Sequence, residues 1–532
     1  MTGEDMKDAA GAECVLVSGD RRMGMDMVRA RAARVASGWR AQGIAEGDSV
    51  AILLRNCETF IEAAEAAARL GAYAVPVNWH NTPEEVRYIL EDSGAKALVA
   101  HADLFHPIAG ELPPGVQVLI VPTAPEIVAA YRLSPSQTAL PQGHTLWEDF
   151  IAAHPPLDDP PPPQRNNMIY TSGTTGHPKG VRREPVSPET APIRARLLRE
   201  VFGIRPGIRV LINGPIYHSS PNAYALLSVP VAEQIVFQPR FDAEETLQLI
   251  ERHGITHIHM VPIMFVRLLR LPPEVRARHD LSSLQWIIHG AAPCAPEVKR
   301  AMIAWWGPVI NEYYGSTETS LNTCISSEEW LARPGSVGRA AHGSTLYILD
   351  DDGQPLPPGQ VGRIFVRQQA LSGFTYHGNE AKRRAMEHEG LLTVGDVGYL
   401  DAEGYLYLCD RAIDMVISGG VNIYPAEIEG VLINAPGVRD CAVFGIPDEE
   451  YGERLLAIVQ LNDSVQPTDD AQTTGGNQPT PETLRAYLAE HLAEYKIPRE
   501  FRFAQDLPRE DSGKIFKRKL RAPFWEGRSR GI

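Results

Sequence analysis

Short apolar runs alternate with helix-patterned stretches through the first half of this 532-residue chain, and that alternation limits the fold more than any other feature of the sequence. Ser49–Leu54 and Ala72–Val77 read as strands, and between them Glu58–Leu70 is rich in Ala and Glu, which favour helix, with Gly71 at the position of a C-terminal cap. Pro83–Leu90 then reads as a helix and Lys96–Ala100 as a strand. The pattern returns downstream, where Asp242 can cap a helix with Glu245 as its capping-box partner, Gly254 ends that helix, and Ile255–Val261 is a strand. Repeated βα units of this kind build parallel sheets covered by helices. The length exceeds what one hydrophobic core supports, so more than one domain is expected. Pro155–Pro163, with six prolines, is a stiff connector, and Asn462–Pro481, rich in Asp, Gln, Thr and Gly, reads as a solvated surface loop. Around that loop lie a helix near Ala426–Ile433, strands near Val438–Phe444 and Leu455–Leu461, and a helix near Pro481–Leu492: a small α+β unit.

Composition excludes several classes. A net charge of -15, from 51 basic and 66 acidic residues, argues against general nucleic-acid binding. The six cysteines, Cys14, Cys57, Cys294, Cys324, Cys409 and Cys441, form no CxxC pair and no metal-spaced cluster, as expected for isolated thiols in a reducing compartment. The amino terminus lacks a basic region followed by an apolar core, and no apolar run is long enough to span a bilayer. The expected location is the cytoplasm, with no integral membrane segment.

The most unusual segment is Tyr170-Thr171-Ser172-Gly173-Thr174-Thr175-Gly176-His177-Pro178-Lys179-Gly180, directly after the apolar pair Met168-Ile169. Glycines let backbone N–H groups close around phosphate oxygens, Ser and Thr hydroxyls add donors, and lysine adds charge. Pro178 before Lys179 and Gly180 after it rule out a Walker A loop. By composition alone the segment could be a flexible loop. Its ordered string, however, resembles the phosphate loop of the adenylate-forming superfamily, which includes acyl-CoA synthetases, aryl-CoA ligases, adenylation domains and firefly-type luciferases.

The resemblance continues in order along nearly the whole chain. Pro215-Ile216-Tyr217-His218-Ser219-Ser220-Pro221 is similar to the segment bordering the acyl pocket, with His218 at the gating position; alone, such a histidine is more often structural. His289-Gly290-Ala291-Ala292-Pro293 resembles the small-residue turn packed against adenine and acyl group, although the same residues could form an ordinary tight turn. In Tyr313-Tyr314-Gly315-Ser316-Thr317-Glu318 the resemblance places Tyr314 along the adenine, Thr317 on phosphate and Glu318 on magnesium, with Thr171 as a second metal-side group. Val394-Gly395-Asp396 matches the station whose acid accepts the ribose hydroxyls, with Val394 in place of threonine. Arg411 matches the arginine that reaches the nucleotide. Two residues later the family usually carries Asp or Lys as a hinge, and here stands Ile413, followed by Asp414. Gly419 and Gly420 match the glycines that line the pantetheine tunnel, and Lys514, in Pro508–Ile515, matches the catalytic lysine. The other cations of that tail, Lys517, Arg518, Lys519 and Arg521, read as an exposed basic patch.

The resemblance implies an α/β fold: a large N-terminal domain over residues 1–411, of parallel βα sheets plus a small β-barrel-like part, and a smaller mobile α+β C-terminal domain over residues 412–532. It implies ATP, Mg2+ and coenzyme A as reactants or cofactors, with Ser172, Gly173, Thr174, Thr175, Lys179, Gly315 and Ser316 among the nucleotide contacts. The carboxylate of a small-molecule acid attacks the α-phosphorus, pyrophosphate leaves, and rotation of the small domain then exchanges Lys514 for Gly419-Gly420 so that a thiol can attack the acyl-adenylate. No protein nucleophile is required. The pocket segments Tyr217–Tyr224, Ile287–Ala292 and Asn311–Gly315 carry small and apolar residues and no cation, which points to an apolar monocarboxylic acid. Gly445-Ile446-Pro447-Asp448 favours CoA as acceptor over a carrier-protein phosphopantetheine. A luciferase-like oxygenase and a non-catalytic nucleotide- or acyl-binding protein on the same fold are the other readings, and the family makes a homodimer possible.

Overall fold

A computed structural model of the chain describes residues 13–163, 165–171, 178–370, 373–411, 414–418, 421–462, 479–509 and 515–526, with Asp410 and Arg411 as backbone only. Ser172, Gly173, Thr174, Thr175, Gly176, His177, Ile413, Gly419, Gly420, Lys514 and most of the Asn462–Pro481 loop lie outside the described residues.

The alternation seen in the sequence becomes two parallel sheets. One orders its strands Tyr73–Pro76, Ser49–Leu53, Ala95–His101, Gln117–Val121 and Thr145–Leu146, all parallel. The helix Pro83–Ser93 that crosses it starts where local chemistry dictates: Thr82 and Glu85 form a reciprocal capping box and Pro83 occupies the first turn. The second sheet runs Val15–Ser18, Ala232–Phe237, Ile208–Ile212, His257–Met260, Trp286–His289 and Ile310–Ser316, again parallel throughout. Asp242 caps the helix Ala243–His253 as expected, accepting from the Glu245 N–H at 2.9 Å. The Glu245 carboxylate does not return the bond; it accepts from Gln238 Nε2 at 2.8 Å, a nearer donor supplied by the preceding strand end.

Beyond Ile310–Ser316 the sheet turns antiparallel through Ser320–Ile325, Ser336–Ala340, Leu406–Arg411, Asp396–Leu400 and Gly362–Gln368. A separate small sheet pairs Phe374–Tyr376, Lys179–Arg183 and Ile169–Thr171. The C-terminal part is α+β: the long hairpin Val438–Asp448 with Gly452–Leu461 is joined by Val416–Ser418, Val421–Ile423 and the parallel edge strand Glu500–Ala504, and covered by helices Pro425–Leu432 and Pro481–Ala489. Its hydrophobic clusters begin at Val416, whereas those of the large part reach no further than Leu408. Among the described residues no helix is long and apolar enough to cross a membrane.

Candidate active site

The carboxyl ends of parallel strands are where α/β folds place ligands, because loops leaving those ends diverge and open a crevice. Here a cavity of about 1400 Å³ opens there, larger than a single small-molecule site requires. Thr171, Lys179, His218, Ala291 and the run Gly315–Glu318, spread over nearly 150 residues of sequence, all line it.

Thr171 lies opposite Lys179 across the antiparallel pair, so the glycine-rich segment leaves and re-enters the structure at one point. Lys179 is held at an unusually low pKa of about 8, by burial first and by the ammonium of Lys382 second, while Glu318 pulls the other way.

The strand Ile310–Ser316 delivers the second group. It bulges between Tyr314 and Gly315 as it turns into Ser320–Ile325. A Cβ on Gly315 would sit 1.8 Å from the Ser320 carbonyl oxygen, so only glycine fits. The Ser316 hydroxyl accepts from the N–H groups of Glu318 at 3.2 Å and Thr319 at 2.9 Å, which folds the tip into a side-chain-closed turn. Arg183 reaches across from the small sheet and donates Nη2 to the carbonyls of Thr317, at 3.0 Å, and Glu318. Burial lowers the Arg183 pKa to about 10. Tyr376 donates its hydroxyl to Glu318 Oε1 at 2.9 Å, and burial, reinforced by Glu318, pushes its own pKa up. Arg183 and Tyr376 therefore aim the acid, and neither stands in the recognisable motifs. The strand sequence Lys179-Gly180-Val181-Arg182-Arg183 does not alternate, so no local pattern marked Arg183, and none marked Tyr376.

Tyr314 and Asp396 are brought together from 82 residues apart, the tyrosine hydroxyl donating to Asp396 Oδ2 at 2.7 Å. Both are nearly buried, and the adjoining Val394 and Gly395 face the cavity. Gly290 packs so closely on Tyr313 that a Cβ would meet its backbone oxygen at 2.8 Å, and Ala291 adopts a left-handed φ of 68°. A non-glycine residue in that region stores strain of about 1–2 kcal/mol, of the sort found where a turn is shaped around a ligand.

His218 caps the helix Ser219–Ser228, and its ring lies 4.3 Å from that of Tyr217. Buried Asn56 fixes this segment with three bonds, donating to the carbonyls of Gly214 and Gln238 and accepting from the Ile216 N–H, all within 3.0 Å. Beyond His218 the wall is apolar: Leu198, Phe202, Leu226, Leu227, Met260 and Met264. His259 and Tyr313 share a hydrogen bond of 3.0 Å there, and burial drops the His259 pKa to about 4, so the imidazole is neutral. A cation also lines the cavity beside this wall. Arg194, on the helix Ala191–Phe202, reaches only Asn166 Oδ1 at 3.4 Å, and its Nε has no partner. The three pocket segments read from sequence hold no cation; this one enters from a helix outside them.

From the C-terminal part, Pro508, Arg509, Ile515, Phe516 and Lys517 reach the same cavity, so both flanks of the lysine loop border it. The tail is only half the exposed basic patch expected: Arg518 and Lys519 are exposed, but the other two cations are covered. The Lys517 side chain is 14% exposed and pairs with Glu429 at 2.9 Å, and Arg521, 12% exposed, faces Asp414 at 3.8 Å. The helix Lys517–Arg521 lays these two cations against acids of the C-terminal part, which a count of charges cannot reveal.

Among the described residues no group of three His, Cys, Asp or Glu side chains could hold a metal alone. One carboxylate, Glu318, and one hydroxyl, Thr171, facing the same cavity suit magnesium, which prefers few protein oxygens and completes its shell with phosphate and water.

Comparison with known proteins agrees with this geometry. Residues 5–373 match the AMP-binding enzyme family and residues 427–514 match the AMP-binding enzyme C-terminal domain. A long-chain-fatty-acid–CoA ligase of Mycobacterium tuberculosis is 33% identical over 95% of this chain and 94% of its own length. A fatty acid–[acyl-carrier-protein] ligase of Streptomyces coeruleorubidus is 32% identical over 94% of this chain and 91% of its own. Among solved structures, the o-succinylbenzoate CoA synthetase of Bacillus subtilis in complex with its acyl-adenylate superposes with a TM-score of 0.77 at 27% identity, covering 97% of both chains.

Proposed function

The chain belongs to the AMP-binding enzyme family, and we propose that within it the protein is an ATP-dependent carboxylic acid–CoA ligase acting on an apolar monocarboxylic acid. The observation that carries the proposal is the convergence on one cavity of Thr171 and Lys179, of Ser316–Glu318, of an apolar wall, and of the segments on either side of Lys514.

In this reading the acid enters along Phe202, Leu226, Leu227 and Met264 and passes His218. One carboxylate oxygen bonds to the α-phosphorus of ATP, the bond from that phosphorus to the bridging oxygen breaks, and its electron pair departs on pyrophosphate. The protein's task is placement and charge stabilisation. Lys179 meets the phosphates, Tyr314 lies along the adenine, Asp396 takes the ribose hydroxyls and Arg411 reaches the nucleotide. Lys514 bridges carboxylate and phosphate in this step. Magnesium, when bound, neutralises phosphate charge; Glu318 and Thr171 would hold it, with Tyr376 and Arg183 fixing the acid's direction. Neutral His259 adds no charge of its own to the acyl wall. For the second step the boundary near residue 411 serves as the pivot, and Gly419-Gly420 admit the thiol of CoA. The separate cores on either side of that boundary support this division.

A carrier-protein phosphopantetheine as acceptor is the second reading, favoured by the fatty acid–[acyl-carrier-protein] ligase relative. The test is to incubate the protein with Mg-ATP, CoA and a panel of acids from acetate to long-chain and aryl acids, and to follow AMP and acyl-CoA by mass spectrometry. AMP with acyl-CoA, lost in Lys514→Ala, is the expected result. Acyl-adenylate without acyl-CoA would move the assignment to a carrier-protein acceptor, and no AMP with any acid would refute the ligase.

A further inference from the structure

Lys382 belongs to none of the motifs above, yet it stands at the phosphate end of the cavity. It is carried by the helix Glu380–Ala385, whose cap residue Asn379 accepts from the Lys382 N–H at 3.1 Å. Arg383, next in the chain, donates to the Phe374 carbonyl at 3.1 Å and so ties that helix to the strand Phe374–Tyr376. That strand in turn pairs with Lys179–Arg183, Tyr376 lying opposite Val181. The result is a frame that sets Lys382 and Lys179 in one cavity that both line. Beneath them is Tyr376, whose ring lies 5.9 Å from Lys382 Nζ and whose hydroxyl holds Glu318.

Like charges set in one cavity repel, and a fold keeps them so only where something offsets the repulsion. A polyvalent anion between two lysines converts that repulsion into two attractions, and charge-assisted N–H···O bonds to phosphate are among the stronger polar contacts proteins make. We propose that Lys382 is a second cationic ligand for the phosphates that leave as pyrophosphate, gripping them together with Lys179 on the side facing Glu318. This rests on the ligase reading for the identity of the anion. As the bond to the α-phosphorus breaks and an electron pair moves onto the bridging oxygen, negative charge accumulates on the departing group, where Lys382 sits. No proton transfer is needed. AMP lacks these phosphates, so Lys382 contributes to adenylate formation and not to the retention of AMP.

The experiment is titration calorimetry of the full chain with Mg-pyrophosphate and, separately, with AMP, for the wild type, Lys382→Gln and Lys382→Arg. Lys382→Gln should weaken pyrophosphate binding about tenfold or more, leave AMP affinity within about twofold, and be largely rescued by Lys382→Arg, which restores the charge. With an accepted acid, ATP–pyrophosphate exchange should fall by a similar factor in Lys382→Gln, while thioester formation from preformed acyl-adenylate stays level. Unchanged pyrophosphate affinity in Lys382→Gln, no pyrophosphate binding by the wild type, or parallel loss of pyrophosphate and AMP affinity would each overturn the proposal. The binding arms need no acid, so a wild type that binds pyrophosphate through Lys382 but activates no acid would sink the ligase reading and leave the phosphate ligand standing.

Discussion

Behind the strand that carries Tyr313, Tyr314 and the turn at Gly315 lies a buried ion pair, and breaking it gives a sharp test of how this site is supported. Lys299 Nζ is 2.6 Å from Glu312 Oε2; the lysine side chain is 0% exposed and the glutamate side chain 7%. His289 stands 3.6 Å from the same oxygen, too far for a hydrogen bond, and burial together with Lys299 keeps it neutral. Lys299→Met keeps an unbranched apolar side chain and removes the charge, together with the contact of the ammonium over the Trp330 ring at 4.8 Å. It leaves Glu312 buried without its partner, a loss of about 3–5 kcal/mol. For a unit of this size that corresponds to a fall of roughly 5 °C in the first unfolding transition. The pH dependence follows from the glutamate. Burial already raises its pKa above the usual carboxylate value against the pull of Lys299, and removing the lysine raises it further. Between the unfolded and folded values the folded state holds more protons, so stability falls as pH rises through that window. The deficit of Lys299→Met should therefore be smaller at about pH 5.5 than at about pH 8. Adding Glu312→Met should recover most of it, since two apolar groups of similar volume replace the pair. Scanning fluorimetry of the four proteins of this cycle at both pH values is sufficient. A Lys299→Met variant within about 1 kcal/mol of wild type, a double variant no better than the single, or a deficit that widens in acid would each refute the reasoning.

Three other substitutions probe the site directly. Tyr376→Phe removes the donor to Glu318 and should raise the magnesium needed for half-maximal AMP release about tenfold, with little change in melting temperature. Gly315→Ala places a Cβ within 1.8 Å of the Ser320 carbonyl and should cost more than about 2 kcal/mol, read as loss of soluble protein or of cooperative unfolding. Arg194→Leu removes a cation beside the acyl wall; an apolar monocarboxylic acid should keep or lower its KM, and a KM about tenfold higher would show that the true acid carries a second anionic group.

How legible all this was depends on the range of the interactions involved. Helices are set by short-range interactions, and the helix at Pro83–Leu90 and the Ala-rich run after Glu58 declared themselves. The Gly315 turn was legible for another reason: a backbone that leaves no room for a Cβ tolerates a narrow set of residues, and such strings are recognisable. What stayed hidden is long-range. Tyr376 meets Glu318 across 58 residues, Arg183 meets Thr317 across 134, and Lys382 meets Lys179 through a helix, a strand and a sheet pairing. The capping partner Glu245 was misassigned because its alternative, Gln238, is placed by the preceding strand. The basic tail misled for the same reason, since the acids that cover Lys517 and Arg521 lie about a hundred residues earlier.

The division into two parts can be argued one step further from the contacts between them. Each part completes its own apolar core, so neither needs the other to bury its hydrophobic surface. Among the described residues the hydrogen bonds across the division are peripheral: Arg270 donates to the Arg439 carbonyl at 2.7 Å, and Asn434 approaches Glu297 at 3.5 Å. Surface contacts of this kind contribute about 0–1 kcal/mol each and can be exchanged for water or for equivalent partners. The cavity, by contrast, takes lining residues from both sides, Thr171 and Glu318 from one and Ile515 and Phe516 from the other. A bound ligand is then the strongest link between the two parts. On the ligase reading, a change from ATP and acid to acyl-adenylate and thiol would favour a different arrangement of the two parts without any change in either core.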